Sequence, residues 1–463
     1  MANLENILKA KTTPSFAAVA GLVIRLSIPA IMAEITSIIM QYIDAAMVGS
    51  LGKEASAAIG LVSTSTWLIG GLCISAATGF SVQAAQLVGA SRTDEARNVF
   101  RQSLIVAFLF GALLSVFGII ISPHVPVWLG GAEEIRADAS EYFLICSCVF
   151  VIEELRYVTG SMLQCSGDMR TPSIVNIALC ILDVIFNFIF IFPSREIWGI
   201  PVFGFGMGVK GAAIGTACAE VTATAMMLYF AVFRSEKLAF RLGGSWRLRK
   251  KTMLTALRLA IPAAIEHTVM CGAYVMATVI VAPLGTTAVA ANSLAITAES
   301  FCYMPGYGIG SAATTLVGQS VGARRKDLAR RFARVSVVLG VTIMTVTGVI
   351  MFIAAPFMFS LLTPSEEVRA LGVSVLRIEA FAEPLYAASI VCAGALRGAG
   401  DTLWPSILNL VSMWGVRITL ATVLVGSMGL TGMWTAMCIE LCFRGIIFLI
   451  RLLRERWLVK SIV

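Results

Sequence analysis

Five carboxylates, Asp44, Asp183, Glu266, Glu299 and Glu383, stand inside long apolar runs of this sequence. An acid at the centre of a membrane helix costs about 2.5–3.5 kcal/mol on insertion scales, so one kept there is a functional-site hypothesis by default. The chemistry open to it is narrow: it can bind a cation, hold a proton or meet a basic ligand. Catalytic chemistry finds little support. No Walker A sequence occurs, so ATP is not expected to power the protein. No Ser/His/Asp or metal-hydrolase pattern stands out, and His124 and His267 are the only histidines. No Cys-x-x-Cys pair occurs, and most of the 11 cysteines, Cys73, Cys146, Cys180 and Cys392 among them, fall in apolar runs. Free cysteine there behaves as a small hydrophobe. No enzyme, no cofactor and no resident metal are expected.

An internal repeat singles these acids out. Shifted by 233 residues, the chain falls on itself. Pro29 meets Pro262, Gly52 meets Gly285, and Gln86, Gly89 and Ala90 meet Gln319, Gly322 and Ala323. Arg92, Asp94 and Arg97 meet Arg325, Asp327 and Arg330; Gly167, Asp168, Pro172, Ser173 and Asn176 meet Gly400, Asp401, Pro405, Ser406 and Asn409. Residues shared by both halves serve the common fold. The five acids break the pattern: Asp44 faces Ala277, Asp183 faces Val416, Glu266 faces Ala33, Glu299 faces Thr66 and Glu383 faces Phe150. The pairs Asp94/Asp327 and Asp168/Asp401 obey it and read as caps or ion pairs.

The elements that must position these acids are membrane helices. The chain of 463 residues is 58% apolar and 13% charged, with mean hydropathy +0.87, where soluble domains carry about a quarter charged residues. Runs of about 20 apolar residues suffice to span a bilayer. Helices are predicted over 23–48, 56–86, 99–122, 139–164, 172–193, 210–233, 255–282, 288–319, 331–357, 367–396, 404–426 and 431–453. The first apolar run is too long for a cleavable signal segment. The fold class is therefore all-α, twelve transmembrane helices in two pseudo-symmetric six-helix lobes: 1–233, a linker 234–258, and 259–463. Repeats with an even number of helices share one orientation, a transporter architecture with its site expected at their interface. Lys and Arg crowd one set of alternating loops, while the other set holds Lys53, Arg136, Arg195, Lys210 and Arg369. That asymmetry predicts both termini in the cytoplasm. It also accounts for the net charge of +8 without nucleic acid.

The segment Asp44-Ala-Ala-Met-Val-Gly-Ser-Leu-Gly52, the Gln-x-x-Gly-Ala runs and Leu396-Arg397-Gly398-Ala399-Gly400-Asp401-Thr402 resemble the multidrug and toxic compound extrusion (MATE) family. The similarity covers nearly the whole chain in the expected order. It implies a twelve-helix antiporter, with an N-lobe and a C-lobe around a central cavity, that exchanges organic cations or amphipathic drugs for Na⁺ or H⁺. Asp44 matches the family's N-lobe aspartate. The fifth helix carries Asp183 then Asn187, the reverse of the family order, but four residues apart they share a helix face. Thr216, in Gly211-Ala-Ala-Ile-Gly-Thr216, resembles the sixth-helix threonine. Asp44, Asp183, Asn187 and Thr216 form the expected N-lobe ion or proton site. All offer oxygen ligands, and the sequence does not choose between Na⁺ and H⁺. In the C-lobe, Glu266 and Glu383 each stand about a turn before the family's acid positions, so they are expected to face each other at a shifted depth, with Glu299 as a third candidate for an ion or substrate site.

Weaker readings accompany these. Glu34, Glu153, Glu154, Glu220, Glu379 and Glu440 read as structural acids, with Glu153–Arg156 and Glu440–Arg444 at helical spacing. Arg417 reads as an ion-pair member. Pro29 and Pro262 kink their helices and are hinge candidates, since a kink frees a carbonyl. An alternative within transport is a lipid-linked sugar flippase or an exporter of an endogenous metabolite. Such a flippase favours a basic cavity, whereas here acids outnumber the membrane arginines Arg156, Arg377, Arg417 and Arg444. The expected partners are a small molecule and the lipid bilayer of a cell membrane, crossed many times and bacterial and inner by the short termini. A monomer suffices.

Overall fold

The computed structural model describes residues 4–9, 14–197, 200–240, 244–459 and 462. Among them the chain forms twelve long helical segments: α1 (Phe16–Gly49), α2 (Lys53–Gly89), α3 (Thr93–Ile121), α4 (Glu133–Ser166), α5 (Arg170–Ile191), α6 (Gly208–Tyr229), α7 (Lys250–Val281), α8 (Thr286–Gly322), α9 (Lys326–Leu362), α10 (Glu366–Glu379 and Glu383–Gly398), α11 (Leu403–Leu410, Val411–Ile418 and Thr419–Met428) and α12 (Leu430–Leu453). Two short helices, Leu4–Lys9 and Val125–Trp128, a hairpin of β1 (Pro193–Ile197) and β2 (Ile200–Phe205), and short turns of π- or 3-10 helix at Phe230–Arg234, Ala282–Leu284 and Arg456–Val459 complete the described elements. The hairpin lies between α5 and α6 of the first half, and the second half has no described strands between α11 and α12.

Eight of the twelve, α1, α2, α3, α5, α6, α7, α9 and α11, are long and apolar enough to cross a membrane by length and composition alone. The other four fall short for local reasons. The two pieces of α10 are 14 and 16 residues, and α8 is diluted by Gly, Ser and Thr. Charged residues, Glu153, Glu154 and Arg156 among them, interrupt α4, and α12 carries Glu440 and Arg444. Large apolar side chains lie on the outside throughout, such as Leu113, Ile120, Ile353 and Leu361. Outward-facing apolar surface on this scale fits lipid as solvent.

The motifs shared by the two halves explain the helix boundaries. Gly167 (φ 102°) and Gly400 (φ 90°) adopt the left-handed conformation that closes α4 and α10. Asp168 N donates to Leu163 O at 3.1 Å, and Asp401 N to Leu396 O at 2.9 Å, the same six-to-one bond at both ends. The aspartates then part company. Asp168 accepts from Thr171 N at 3.1 Å and Thr171 Oγ1 at 2.6 Å at the start of α5, whereas Asp401 accepts from Arg451 Nη2. Arg97 pairs with Asp94 at 2.6 Å and Arg325 with Asp327 at 2.8 Å.

The contacts divide the chain into two compact units: Met1–Ile35, Ala85–Ser91 and Ile261–Val463 in one, Thr36–Ala84 and Arg92–Ala260 in the other. This division differs from the one drawn by the repeat, because the first helix of each half starts among the helices of the other half. In the first unit a Cβ on Gly308 of α8 would overlap the backbone of Ile31 in α1. In the second a Cβ on Gly79 of α2 would press on the Ala256 carbonyl in α7. The Gln-x-x-Gly runs meet reciprocally: a side chain on Gly89 would overlap the Gln319 carbonyl, and one on Gly322 the Gln86 carbonyl. Each unit has its own apolar core. That of the first centres on Phe332, Ala333, Val391 and Phe448, with a neighbouring cluster around Trp434 and Phe359; that of the second centres on Phe143, Phe150, Val62 and Cys73.

Candidate functional site

In the second unit, α1, α5 and α6 bring four polar side chains together, Asp44, Asp183, Asn187 and Thr216. Asn187 Nδ2 donates to Asp44 Oδ1 and to Asp183 Oδ2, each at 3.0 Å. Asp183 and Asn187 lie one turn apart on α5, so one amide can bridge the two acids. Asp183 and Asn187 are 1% and 2% exposed, and Asp44 is half-buried. Asp183 Oδ1 and Asn187 Oδ1 are buried without a hydrogen-bond partner. Thr216 of α6 lies beside the Asp183 carboxylate. Close approach of α5 and α6 makes room for this arrangement. A Cβ on Gly215 would overlap Asn187 Oδ1, and one on Gly211 would overlap the Phe190 carbonyl. Two acids, an amide oxygen and a hydroxyl form an all-oxygen donor set suited to a hard cation, and the acids can equally share a proton. Among the described residues no cluster of three or more His, Cys, Asp or Glu could hold a metal ion.

A second polar cluster lies elsewhere in that unit. Arg156 grips Glu220 through both oxygens, Nε to Oε2 at 2.6 Å and Nη2 to Oε1 at 3.0 Å. Arg156 was expected to pair with Glu153, three residues earlier; its partner is instead on α6, where the bidentate geometry is met. Glu154 is 1% exposed, with the Cys73 thiol beside it.

The first unit treats its acids differently. Glu266 of α7 accepts from Arg397 Nη2 at 2.6 Å and Ser406 Oγ at 3.0 Å, and also from Asn409 Nδ2. It is 4% exposed and carries a built-in cation. Glu440 of α12 is fully buried between two arginines: Arg417 Nε at 2.9 Å and Arg444 Nε at 2.7 Å, with Ser412 Oγ also bonded. Ser412 and Arg417 both sit on the π-helical stretch Val411–Ile418 of α11, whose wider turn re-aims side chains. The expected pairs Glu440–Arg444 and an ion-paired Arg417 are present here.

Glu299 and Glu383 belong to a third group. Glu383, fully buried, opens the second piece of α10; the Cys302 thiol and Glu299 of α8 are its neighbours. Glu379 ends the first piece, also fully buried, within electrostatic reach of Glu299 and Arg417. Neither oxygen of Glu379 or Glu383 has a hydrogen-bond partner. Tyr303 and Tyr386, ring centroids 5.7 Å apart, lie among them. Glu266 and Glu383 thus sit among different partners and do not form the facing pair expected of them. Sequence reasoning missed Glu379 as a third member and Arg397 as the partner of Glu266. A signal for the second was available: Arg397 faces Gln164 across the repeat, as Glu266 faces Ala33, so both charges of the pair break the symmetry together. Pro29 and Pro262 lie inside unbroken α1 and α7.

Comparison with known proteins places these features. The MatE family model matches residues 29–189 and 262–423, one match in each half. A probable multidrug resistance protein NorM of Thermotoga maritima is 27% identical over 445 residues, covering 95% of this chain and 93% of its own length. A probable multidrug resistance protein NorM of Neisseria meningitidis serogroup B is 26% identical, covering 94% and 96%. Among solved structures, an outward-facing multidrug resistance MATE family transporter of the MOP superfamily superposes over the full length of both chains, with TM-score 0.90 at 21% identity.

Proposed function

The chain belongs to the MATE family of membrane transporters, and from that premise we propose that it is a secondary antiporter exporting organic cations or amphipathic drugs in exchange for Na⁺ or H⁺. The observation that carries this reading is the pair Asp44 and Asp183 joined by Asn187, two membrane acids with no arginine or lysine bonded to them among the described residues. A site of that charge has to borrow its cation from outside the chain. The names of the relatives support the drug substrate.

The cycle follows from this need. With one of the two acids kept protonated by the other's charge, a single cation bound between Asp44 and Asp183 leaves the pair neutral and lets the site close within lipid. Its release towards the cytoplasm restores negative charge and favours a cationic drug. Rebinding from the outside expels the drug. One charge moving down about 100 mV gains about 2.3 kcal/mol. At about 1.4 kcal/mol per decade this sustains roughly a 40-fold gradient of neutral substrate per cation, before any ion gradient is added. Thr216 completes the oxygen set. Glu299 and Glu383, with Glu379, supply a second acidic site for the substrate cation or a further ion. Glu266 belongs to the scaffold, because Arg397 already neutralises it. Pro29 and Pro262 each remove a backbone donor from α1 and α7 and are the points where these helices bend in alternating access. The basic loops lie in the cytoplasm with both termini, and one chain is the working unit.

The test is ethidium efflux from energised cells expressing wild type or Asp44→Asn at equal level, with Na⁺ present and absent and then with the proton gradient collapsed. Wild type is expected to export the dye, Asp44→Asn is not, and the ion whose removal stops export is the coupling ion. Efflux by wild type that ignores both gradients would remove ion coupling from the account.

A further inference from the structure

The repeat places a basic site at the start of the third helix of each half, and the two copies have different fates. In the first half Arg97 and Arg101 of α3 are 5% and 4% exposed. The linker between the halves covers them. Arg97 donates to the Glu236 carbonyl at 3.3 Å, and the Arg101 guanidinium lies 4.9 Å from the Phe240 ring centroid. Asn98 and Gln102 hold the linker in place by accepting from Ser245 N at 3.2 Å and Arg249 N at 2.9 Å.

In the second half the equivalent residues are Arg330 and Arg334 of α9, and Arg331 replaces Asn98. Together with Phe16, Asp327 and Val335 they line a pocket of about 370 Å³. Arg330 and Arg334 share one carboxylate, Glu455, at 2.5 and 3.3 Å, and the Arg334 side chain is 58% exposed. Arg331 Nη1 donates to the neutral Pro14 carbonyl at 2.6 Å. Asp327 is engaged by Arg325. Three arginines therefore face one shared carboxylate, and the balance is positive.

We propose that this pocket binds the phosphate headgroup of an acidic phospholipid. Its place selects a lipid over a free anion. The pocket lies where α1 and α9 begin, both of them spans. Phe16 at its mouth is exposed, and Val338, four residues after Arg334 and on the same helix face, is 61% exposed. A headgroup held by Arg334 thus has its acyl chains along an apolar helix face. Basic pockets between helices at this level are where acidic headgroups bind. In the first half the chain's own linker fills the equivalent place, which is why only the second copy is offered to lipid.

The full chain in detergent, titrated with phosphatidylglycerol and followed by native mass spectrometry, tests this, with phosphatidylcholine and inorganic phosphate as parallel titrants. Wild type is expected to retain phosphatidylglycerol more tightly than phosphatidylcholine. Arg334→Gln, at an exposed position, weakens phosphatidylglycerol about fivefold and leaves phosphatidylcholine unchanged. Glu455→Gln, which removes the competing carboxylate, strengthens it. Equal retention of both lipids by wild type, or phosphatidylglycerol binding unmoved by both variants, overturns the proposal. Displacement of bound phosphatidylglycerol by millimolar inorganic phosphate also overturns it, in favour of a simple anion site.

Discussion

The two halves descend from one pattern, yet Asp44 and Asp183 of the first and Glu266 and Glu440 of the second are held in opposite ways. In α1 and α5, Asp44 and Asp183 share an amide hydrogen-bond donor, Asn187, and have no guanidinium bonded to them. In α7 and α12, Glu266 and Glu440 are each bonded to arginine, one and two respectively. An acid with a fixed cation is neutral in every state of a cycle, so it can hold helices together but has little to exchange. An acid with a neutral donor changes charge whenever a cation or proton arrives. The difference separates scaffold from machinery in a way that burial does not, since Asp183, Glu266 and Glu440 are all nearly inaccessible.

The contrast can be broken at four points, from the largest expected effect down. Glu440→Gln leaves Arg417 and Arg444 buried without their counter-charge. A broken buried pair costs about 3–5 kcal/mol, so a drop of many degrees in the melting temperature in detergent is expected; an unchanged melting temperature would make the trio dispensable. Asp183→Asn removes the second acid of the candidate ion site and keeps its size. Transport is expected to fall at least about tenfold, with a melting temperature close to wild type. If stability fell and transport per folded molecule did not, Asp183 would join the scaffold. Gly215→Ala drives a methyl group into Asn187 Oδ1; shifting that amide is expected to lower the apparent affinity for the coupling ion by about fivefold, equivalent to about 1 kcal/mol. Glu266→Gln is the mildest. Arg397 is 31% exposed and can find water, so a loss of about 1–2 kcal/mol is expected, with the ion dependence of transport unaltered. A shifted ion dependence would bring Glu266 back as a coupling acid.

Much of this was legible beforehand, for identifiable reasons. Apolar length gave the spans, while the contact units depart from the 233-residue repeat at the first helix of each half. The shared Gly-Asp motif, now seen closing α4 and α10, marked helix ends in both halves. The grouping of Asp44, Asp183 and Asn187 was implied by the resemblance to the MATE family, with the i,i+4 spacing on α5 placing Asp183 and Asn187 on one face. Pairing between distant helices was harder. Arg156 lies three residues from Glu153 but reaches 64 residues along the chain to Glu220, because a bidentate grip on a facing helix satisfies more of its donors than a neighbour on its own helix. The break in α10 between Glu379 and Glu383 and the π-helical stretch of α11 leave no strong mark in composition, and they decide where Glu379, Glu383 and Arg417 point. The close approaches at Gly79 and Gly308 were also hidden, since they show only once the neighbours Ala256 and Ile31 are known.

The claim at the centre is that the acids without arginine carry the coupling cation. The most direct measurement is ethidium uptake into proteoliposomes driven by an imposed Na⁺ or H⁺ gradient, comparing wild type, Asp44→Asn and Glu266→Gln at equal protein density. The account predicts uptake driven by one of the two gradients in wild type and Glu266→Gln, and none above empty vesicles in Asp44→Asn. Gradient-driven uptake by Asp44→Asn at the wild-type rate would contradict it.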